Sequence, residues 1–325
     1  MSRRLAWSRS MLALALALAL GVGVGVAVAA CGGGSSGDDD PGNPDANVGT
    51  PDGGSQVDAG AGSFRLIASD FTLGADGDEK WQCERKTMTE DVWITRFTPI
   101  APDGTHHTLL AIDNDPEADG TSDCQVSIER DWTVLFASGL GSPPLNMPDG
   151  VAVHIAAGQQ IVLNLHLYNF TSAPLNETSA IDVITTDPAG IDNEAQVILV
   201  GPLSFNFSTV GENFIDSSCT MSGNTNFFAV FPHMHQLGSH AQVDLTIGGV
   251  TQTVYDEPYD FEQQWFREYD PIPMHSGDQI TMHCTYYNPE GRFVQFGESS
   301  DSEMCFAISY RFPPLGGTLG NICLN

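Results

Sequence analysis

The chain has 325 residues, 41 of them acidic against 12 basic, and a formal net charge of −29. That length is enough for two domains with their own cores. So acidic a surface repels phosphate backbones, and no basic patch interleaves with aromatics, so nucleic acid is excluded as a partner.

The N-terminus joins the basic start Ser2-Arg3-Arg4 to an unbroken small and apolar run from Met11 to Ala30. A basic n-region before an apolar h-region is an export signal. The run ends Val28-Ala29-Ala30-Cys31, which resembles a bacterial lipoprotein box. Residues 1–30 are then a lipoprotein signal peptide, and Cys31 becomes the lipidated first residue of the mature protein. Residues 31–62 are rich in Gly, Asp, Pro and Ser and hold almost nothing that can be buried. Such a segment cannot offset its ordering entropy and reads as a flexible, disordered linker. The expected location is that of an exported, membrane-anchored lipoprotein, periplasm-facing or on the cell surface, touching the membrane through its lipid alone.

Six cysteines follow Cys31: Cys83, Cys124, Cys219, Cys284, Cys305 and Cys323. An even count in an exported chain implies disulfides, and sequence alone leaves fifteen pairings open. None lies in a C-x-x-C pair, so zinc ribbons and thioredoxin-like chemistry have no support.

From Phe64 onward short β-rich runs alternate with turn residues. They begin with SFRLIASDFTL, VWITRFTPIA and HHTLLAI and continue through QIVLNLHLYN to FFAVFPHMH, QITMHCTYYN and EMCFAISYRF. No helical period lasts beyond two turns. The pattern predicts an all-β chain of two tandem antiparallel, jelly-roll-like β-sandwich domains, at residues 63–200 and 201–325, with a boundary near Gly201-Pro202.

The stretch around which the rest is organised is FPHMHQLGSHA, Phe231 to Ala241. His233 and His235 sit two apart after a strand-forming run, so both rings leave the same face. His106 and His107 follow the turn Pro102-Asp103-Gly104. Neighbours in a regular strand point to opposite faces, so both reach one metal only at a strand end or a bulge. His166 shares a face with Val162, Asn164 and Tyr168, where a buried polar group needs a partner. Met304, beside Cys305, offers a thioether. Two imidazoles and a thioether form a soft donor set that favours copper over zinc or magnesium.

These segments together are similar to the copper type II, ascorbate-dependent monooxygenases, the family of peptidylglycine α-hydroxylating monooxygenase and dopamine β-monooxygenase. The resemblance runs from about Trp81 to Phe312, through WQC, HHTLLA, PLNMPDGV with NLHLYN, HMHQLG, and SGDQITMHCTYYNPEGR with SDSEMC. It implies two copper ions per chain. His106, His107 and His166 hold one; His233, His235 and Met304 hold the other, where oxygen is activated, and a solvent-filled gap separates the two. Beyond these ligands no catalytic side chain is implied. An external reductant such as ascorbate supplies electrons, O2 is the co-substrate, and a C–H bond of a small molecule is hydroxylated. The implied disulfides are Cys83–Cys124, Cys219–Cys323 and Cys284–Cys305. Asn164 stands beside His166 as an outer-sphere partner. The chain departs from the peptide enzyme at Phe231, Phe306 and Ile308, which stand where that enzyme handles a carboxylate, so a small or apolar substrate is expected. The other reading of the same ligands is a copper-binding, storage lipoprotein without catalysis. His154, His240, His275 and His283 match no ligand position and are expected to be structural or exposed.

Overall fold

The computed structural model describes residues 62–124, 132–299, 301–316 and 322–323, all within one compact unit, Ser55–Asn325. The expected signal peptide, Cys31 and the expected linker up to residue 61 lie outside the described residues, and Gly62 begins the first strand. Apart from one 3-10 turn at Pro188–Gly190, every described element is a β-strand.

Four sheets carry the architecture. The first orders the strands Gly62–Leu73, Leu175–Thr185, Val92–Ile100, Val151–Ile155 and Asn193–Glu194. The second runs Gly120–Asp123, Glu79–Thr87, Gln160–Tyr168, Thr105–Asp113 and Trp132–Gly139. In the third the order is Arg267–Met274, Thr225–His233, Phe306–Phe312, Gln196–Val200 and Ile322–Cys323. The fourth holds Gly211–Thr220, Gln279–Asn288, Gly238–Ile247 and Val250–Pro258. Four such sheets also read as four propeller-like blades.

Side-chain alternation explains the packing. On the strand Gln160–Tyr168 the residues Ile161, Leu163, Leu165 and Leu167 are fully buried in a core shared with Leu66, Phe97 and Ile181 of the first sheet. The alternate residues leave by the opposite face, where Val162 packs with Cys83 and Ala111. His166 is on that second face. A separate core joins Val230 and Ala307 of the third sheet to Val243, Leu245 and Met282 of the fourth. The larger core continues across the halves, since Phe228, Phe231 and Tyr310 belong to it. The structure bonds Cys83 to Cys124, Cys219 to Cys323 and Cys284 to Cys305, the three pairs implied by the family resemblance.

The structure differs from the sequence reading in three places. The strand Gln196–Val200, expected at the end of the first half, pairs antiparallel with Phe306–Phe312 and parallel with Ile322–Cys323. Backbone hydrogen bonding decides this, and it leaves no trace in the apolar run AQVILVG. Two long strands, Glu79–Thr87 and Gly211–Thr220, are absent from the expected set. Both carry charged or hydroxyl side chains at half or more of their positions, and their ladders to Gln160–Tyr168 and Gln279–Asn288 hold them in place without a clear apolar alternation.

The turn before the paired histidines has no room for a side chain at Gly104. Its φ is +91°, and an added Cβ would lie 2.9 Å from Leu175 Cδ1 and 3.1 Å from Phe71 Cε2. Its carbonyl accepts the Tyr168 amide at 2.9 Å, tying the turn to the His166 strand. Gly104→Ala is therefore expected to lower stability by roughly 1–3 kcal/mol. Urea denaturation checks this; an unchanged midpoint would contradict the close packing described.

Candidate metal centre

The strand Thr105–Asp113 begins with a register slip. Thr105 pairs with Leu167 and His107 with His166, so His106 is an extra residue in the ladder. A bulge of this kind turns two successive side chains toward one side, the geometry that adjacent histidine ligands need. The His106, His107 and His166 ring centroids lie 4.8–5.2 Å from one another. One ligand nitrogen from each falls within 4.8 Å of the others. The Trp81 indole stacks on His166 at 4.2 Å and covers that side.

His233 ends the strand Thr225–His233 and His235 follows it, their centroids 5.2 Å apart. His233 pairs with Phe306 in antiparallel register. His235 and Met304 both lie just beyond this pairing, two residues after His233 and two before Phe306, and Met304 belongs to the same hydrophobic cluster as Phe306 and Ile308. Met304 is buried, and its carbonyl accepts the Tyr286 hydroxyl at 2.7 Å. Glu303 fixes the loop: its carboxylate accepts the His235 amide at 2.8 Å and the Leu237 amide at 2.7 Å. The Met234 amide donates to the Tyr259 hydroxyl at 2.9 Å.

The two groups meet. The His107 and His233 rings stand 5.2 Å apart, edge to face, which leaves no water layer between them. The solvent-filled gap implied by the resemblance is thus absent at this point: the second half closes onto the outer face of the second sheet, where His107 and His166 emerge.

The remaining ring nitrogens decide which atoms are offered to a metal. His106 Nε2 donates to the Phe261 carbonyl at 2.8 Å, and His166 Nε2 to Glu79 Oε1 at 2.7 Å. His233 Nδ1 donates to Gln264 Oε1 at 2.7 Å, and His235 Nδ1 to the Ser302 carbonyl at 3.1 Å. Carbonyl and carboxylate oxygens only accept, so each bond fixes the proton on that nitrogen and leaves the lone pair on the other. His106 and His166 then present Nδ1, and His233 and His235 present Nε2. Nδ1 of His106 lies 3.0 Å from Nδ1 of His107, two donor atoms aimed at one point where a single proton or a cation fits. The donor set therefore fits a transition metal that prefers imidazole.

Burial also disfavours the charged form of four of the rings. It pulls His106 down to about 3 and His233 to about 4, and lowers His107 and His235 well below their ordinary value. Neighbouring imidazoles push His106, His107 and His235 in the same direction. Neutral imidazole is the ligating form. Glu303, fully buried, is raised by desolvation to about 7.

Asn164 is not the partner of His166. Its Nδ2 points to the Cys83–Cys124 sulfurs, 3.2 Å from Cys124 Sγ, and Glu79 takes the expected role. Phe231, Phe306 and Ile308 lie in the hydrophobic core. His154 stacks on Trp93, and His240, His275 and His283 pair with aspartates of their own surroundings. Glu79, Phe261, Gln264 and Glu303 were missed by sequence reasoning. Glu79 carried a signal, standing two before Trp81 on a strand that pairs with His166; Phe261 lies 155 residues from His106 and Gln264 31 from His233, and they carried none.

Residues 196–316 match the family described as "Copper type II ascorbate-dependent monooxygenase, C-terminal domain". This match supports that family for the part holding His233, His235 and Met304. No curated protein matches the chain in sequence. Solved structures similar to it include two strains of infectious bursal disease virus. The Gx strain is 9% identical over 80% of this chain and 74% of that one, TM-score 0.22. The Gt strain is 11% identical over 81% and 73%, TM-score 0.20. A protein from Eubacterium rectale described as secreted is 9% identical over 82% and 75%, TM-score 0.20. Scores this low bear on neither fold nor function.

The buried neutral rings make the metal-free protein acid-labile. A histidine with a folded pKa below its unfolded value binds its proton preferentially when unfolded, so its stabilising contribution is complete above about 6.5 and declines as pH falls toward the folded values of 3 to 4. Glu303 works oppositely between 4.5 and 7, but four histidines outweigh one carboxyl. Between pH 7 and pH 5 the chelator-treated protein should lose roughly 2–5 kcal/mol of unfolding free energy. Denaturant titrations at the two values check this; equal or greater stability at pH 5 would contradict the buried, neutral state.

Proposed function

We propose that this protein is a copper-dependent monooxygenase that hydroxylates a C–H bond of a small or apolar molecule with O2 and an external reductant such as ascorbate. The observation that carries the proposal is the convergence of five histidines from two halves of the chain, with ring contacts running from His166 through His107 and His233 to His235. The proposed organisation is two tandem β-sandwiches, the first holding one copper through His106, His107 and His166, the second another through His233, His235 and Met304. Copper bound there supplies one-electron redox chemistry and an open position for oxygen.

The chain's own residues have definable tasks. Glu79, the Phe261 carbonyl, Gln264 and the Ser302 carbonyl hold the rings in the ligating tautomer. Glu303 and Tyr259 hold the His233–His235 loop rigid through its backbone amides. Trp81 and Phe261, the latter 3.9 Å from the His106 ring, restrict water at the first group. A cleft of about 640 Å³, lined by Tyr168, Phe170, Tyr259 and Phe261 together with Asp260 and Glu262, opens beside His106. With aromatic walls, two carboxylates and no basic group, it disfavours a carboxylate substrate. This agrees with the loss of carboxylate-handling residues read from the sequence.

The three disulfides are those of an exported protein. Anchoring through a lipid on Cys31 is part of the proposal.

Oxygen consumption by the copper-loaded protein with ascorbate, compared with Met304→Ala, tests it. Uptake should require copper and fall by at least about tenfold in the variant, since even loss of an outer-sphere partner costs about 10–100-fold. Tight copper binding without uptake over a broad substrate panel would return the storage reading.

A further inference from the structure

Between the strands Val250–Pro258 and Arg267–Met274 of the second half runs a connection that crosses to the first half. It is anchored there at several points. Ser142 Oγ donates to the Gln264 carbonyl at 2.9 Å and Trp265 Nε1 donates to the Leu140 carbonyl at 3.1 Å; just past the connection, the Asn146 amide donates to Glu268 Oε1 at 2.8 Å. Gly139, whose strand position pairs with His107, lies directly beneath it: a Cβ there would come within 2.7 Å of the Gln264 carbonyl. The connection is packed down on the strand next to the first histidine group.

Within it, Gln264 is 2% exposed and both ends of its amide are used. Nε2 donates to the Phe261 carbonyl at 3.1 Å, and Oε1 accepts from His233 Nδ1 at 2.7 Å. The same Phe261 carbonyl accepts from His106 Nε2 at 2.8 Å. The result is an unbroken chain of three hydrogen bonds, from His106 through Phe261 and Gln264 to His233, linking one histidine of each group. The donor at Nε2 fixes which end of the amide faces His233, and therefore which nitrogen of His233 keeps its lone pair.

We propose that Gln264 is a positioning residue: it holds His233 with its proton on Nδ1 and its lone pair on Nε2, and through the Phe261 carbonyl it sets the ligating nitrogens of both histidine groups together. Its role toward a metal rests on the copper reading above, but its effect on the tautomer does not. Without an acceptor at Nδ1, imidazole reverts to the mixture its remaining neighbours allow, and the second group loses a prepared donor.

Gln264→Leu removes the amide at similar volume, and Gln264→Glu keeps an acceptor at the same reach. Histidine 15N spectra of the metal-free proteins report the tautomer. Competition with a Cu(I) chelator under anaerobic conditions reports affinity. Wild type and Gln264→Glu should both show His233 with Nδ1 protonated. Gln264→Leu should show a mixed or Nε2-protonated ring and bind one of its copper ions about 10–100-fold more weakly. An unchanged tautomer in Gln264→Leu, or a Gln264→Glu protein that behaves like it, would overturn the proposal. A tautomer shift in a chain whose wild type binds no copper would support the positioning role and sink the copper reading instead.

Discussion

Five imidazoles lie within ring contact in one continuous cluster, and four of them, His106, His107, His233 and His235, sit where the charged form is strongly disfavoured. Desolvation and mutual repulsion remove the charged form. Acceptors at the second nitrogen then settle which atom keeps its lone pair. Most of what is distinctive in the chain serves these two requirements. The bulge at His106 brings a third ring to the cluster, Glu303 braces the loop of the other two, and the connection through Gln264 closes the halves over them.

The cost of this arrangement appears in the same places. Desolvation raises the pKa of the carboxyl buried at Glu303, and the two amides that hold it oppose the rise only in part. Gly139 is confined to glycine size because the Gln264 backbone presses on it, and Gly104 because its turn is both left-handed and crowded. Such local constraints are tolerated where surrounding sheets fix the backbone from both sides. Here the ladders on either side of Thr105–Asp113 do so. Ion pairs at the surface add little by comparison, since exposed pairs such as Arg65 with Asp182 contribute at most about 1 kcal/mol.

The histidine groups were legible because His106, His107, His166 and His233 fall on strands, with His235 two residues past a strand end. Period-two alternation put His233 and His235 on one face, and the turn before His106 made a bulge there a physical necessity if both neighbours were to reach one metal. The disulfide partners followed from resemblance, since spacing alone cannot choose among fifteen pairings. What stayed hidden is contributed by sequence-distant backbone and by irregular chain. The Phe261 and Ser302 carbonyls have no residue signature at all, and Gln264 sits in a connection without periodicity. Asn164 looked like the partner of His166 because the two share a face, yet the disulfide beside it was the nearer polarisable group. The closeness of His107 to His233 also had no sequence correlate, because it depends on how two halves dock rather than on either strand.

X-ray absorption at the copper edge of the loaded, chemically reduced protein addresses the central claim most directly. The account predicts about two copper ions per chain, bound mainly by imidazole nitrogen, with a thioether sulfur seen in the wild type and lost when Met304 is replaced. A single bound ion, or a spectrum with no sulfur scatterer in the wild type, would contradict it.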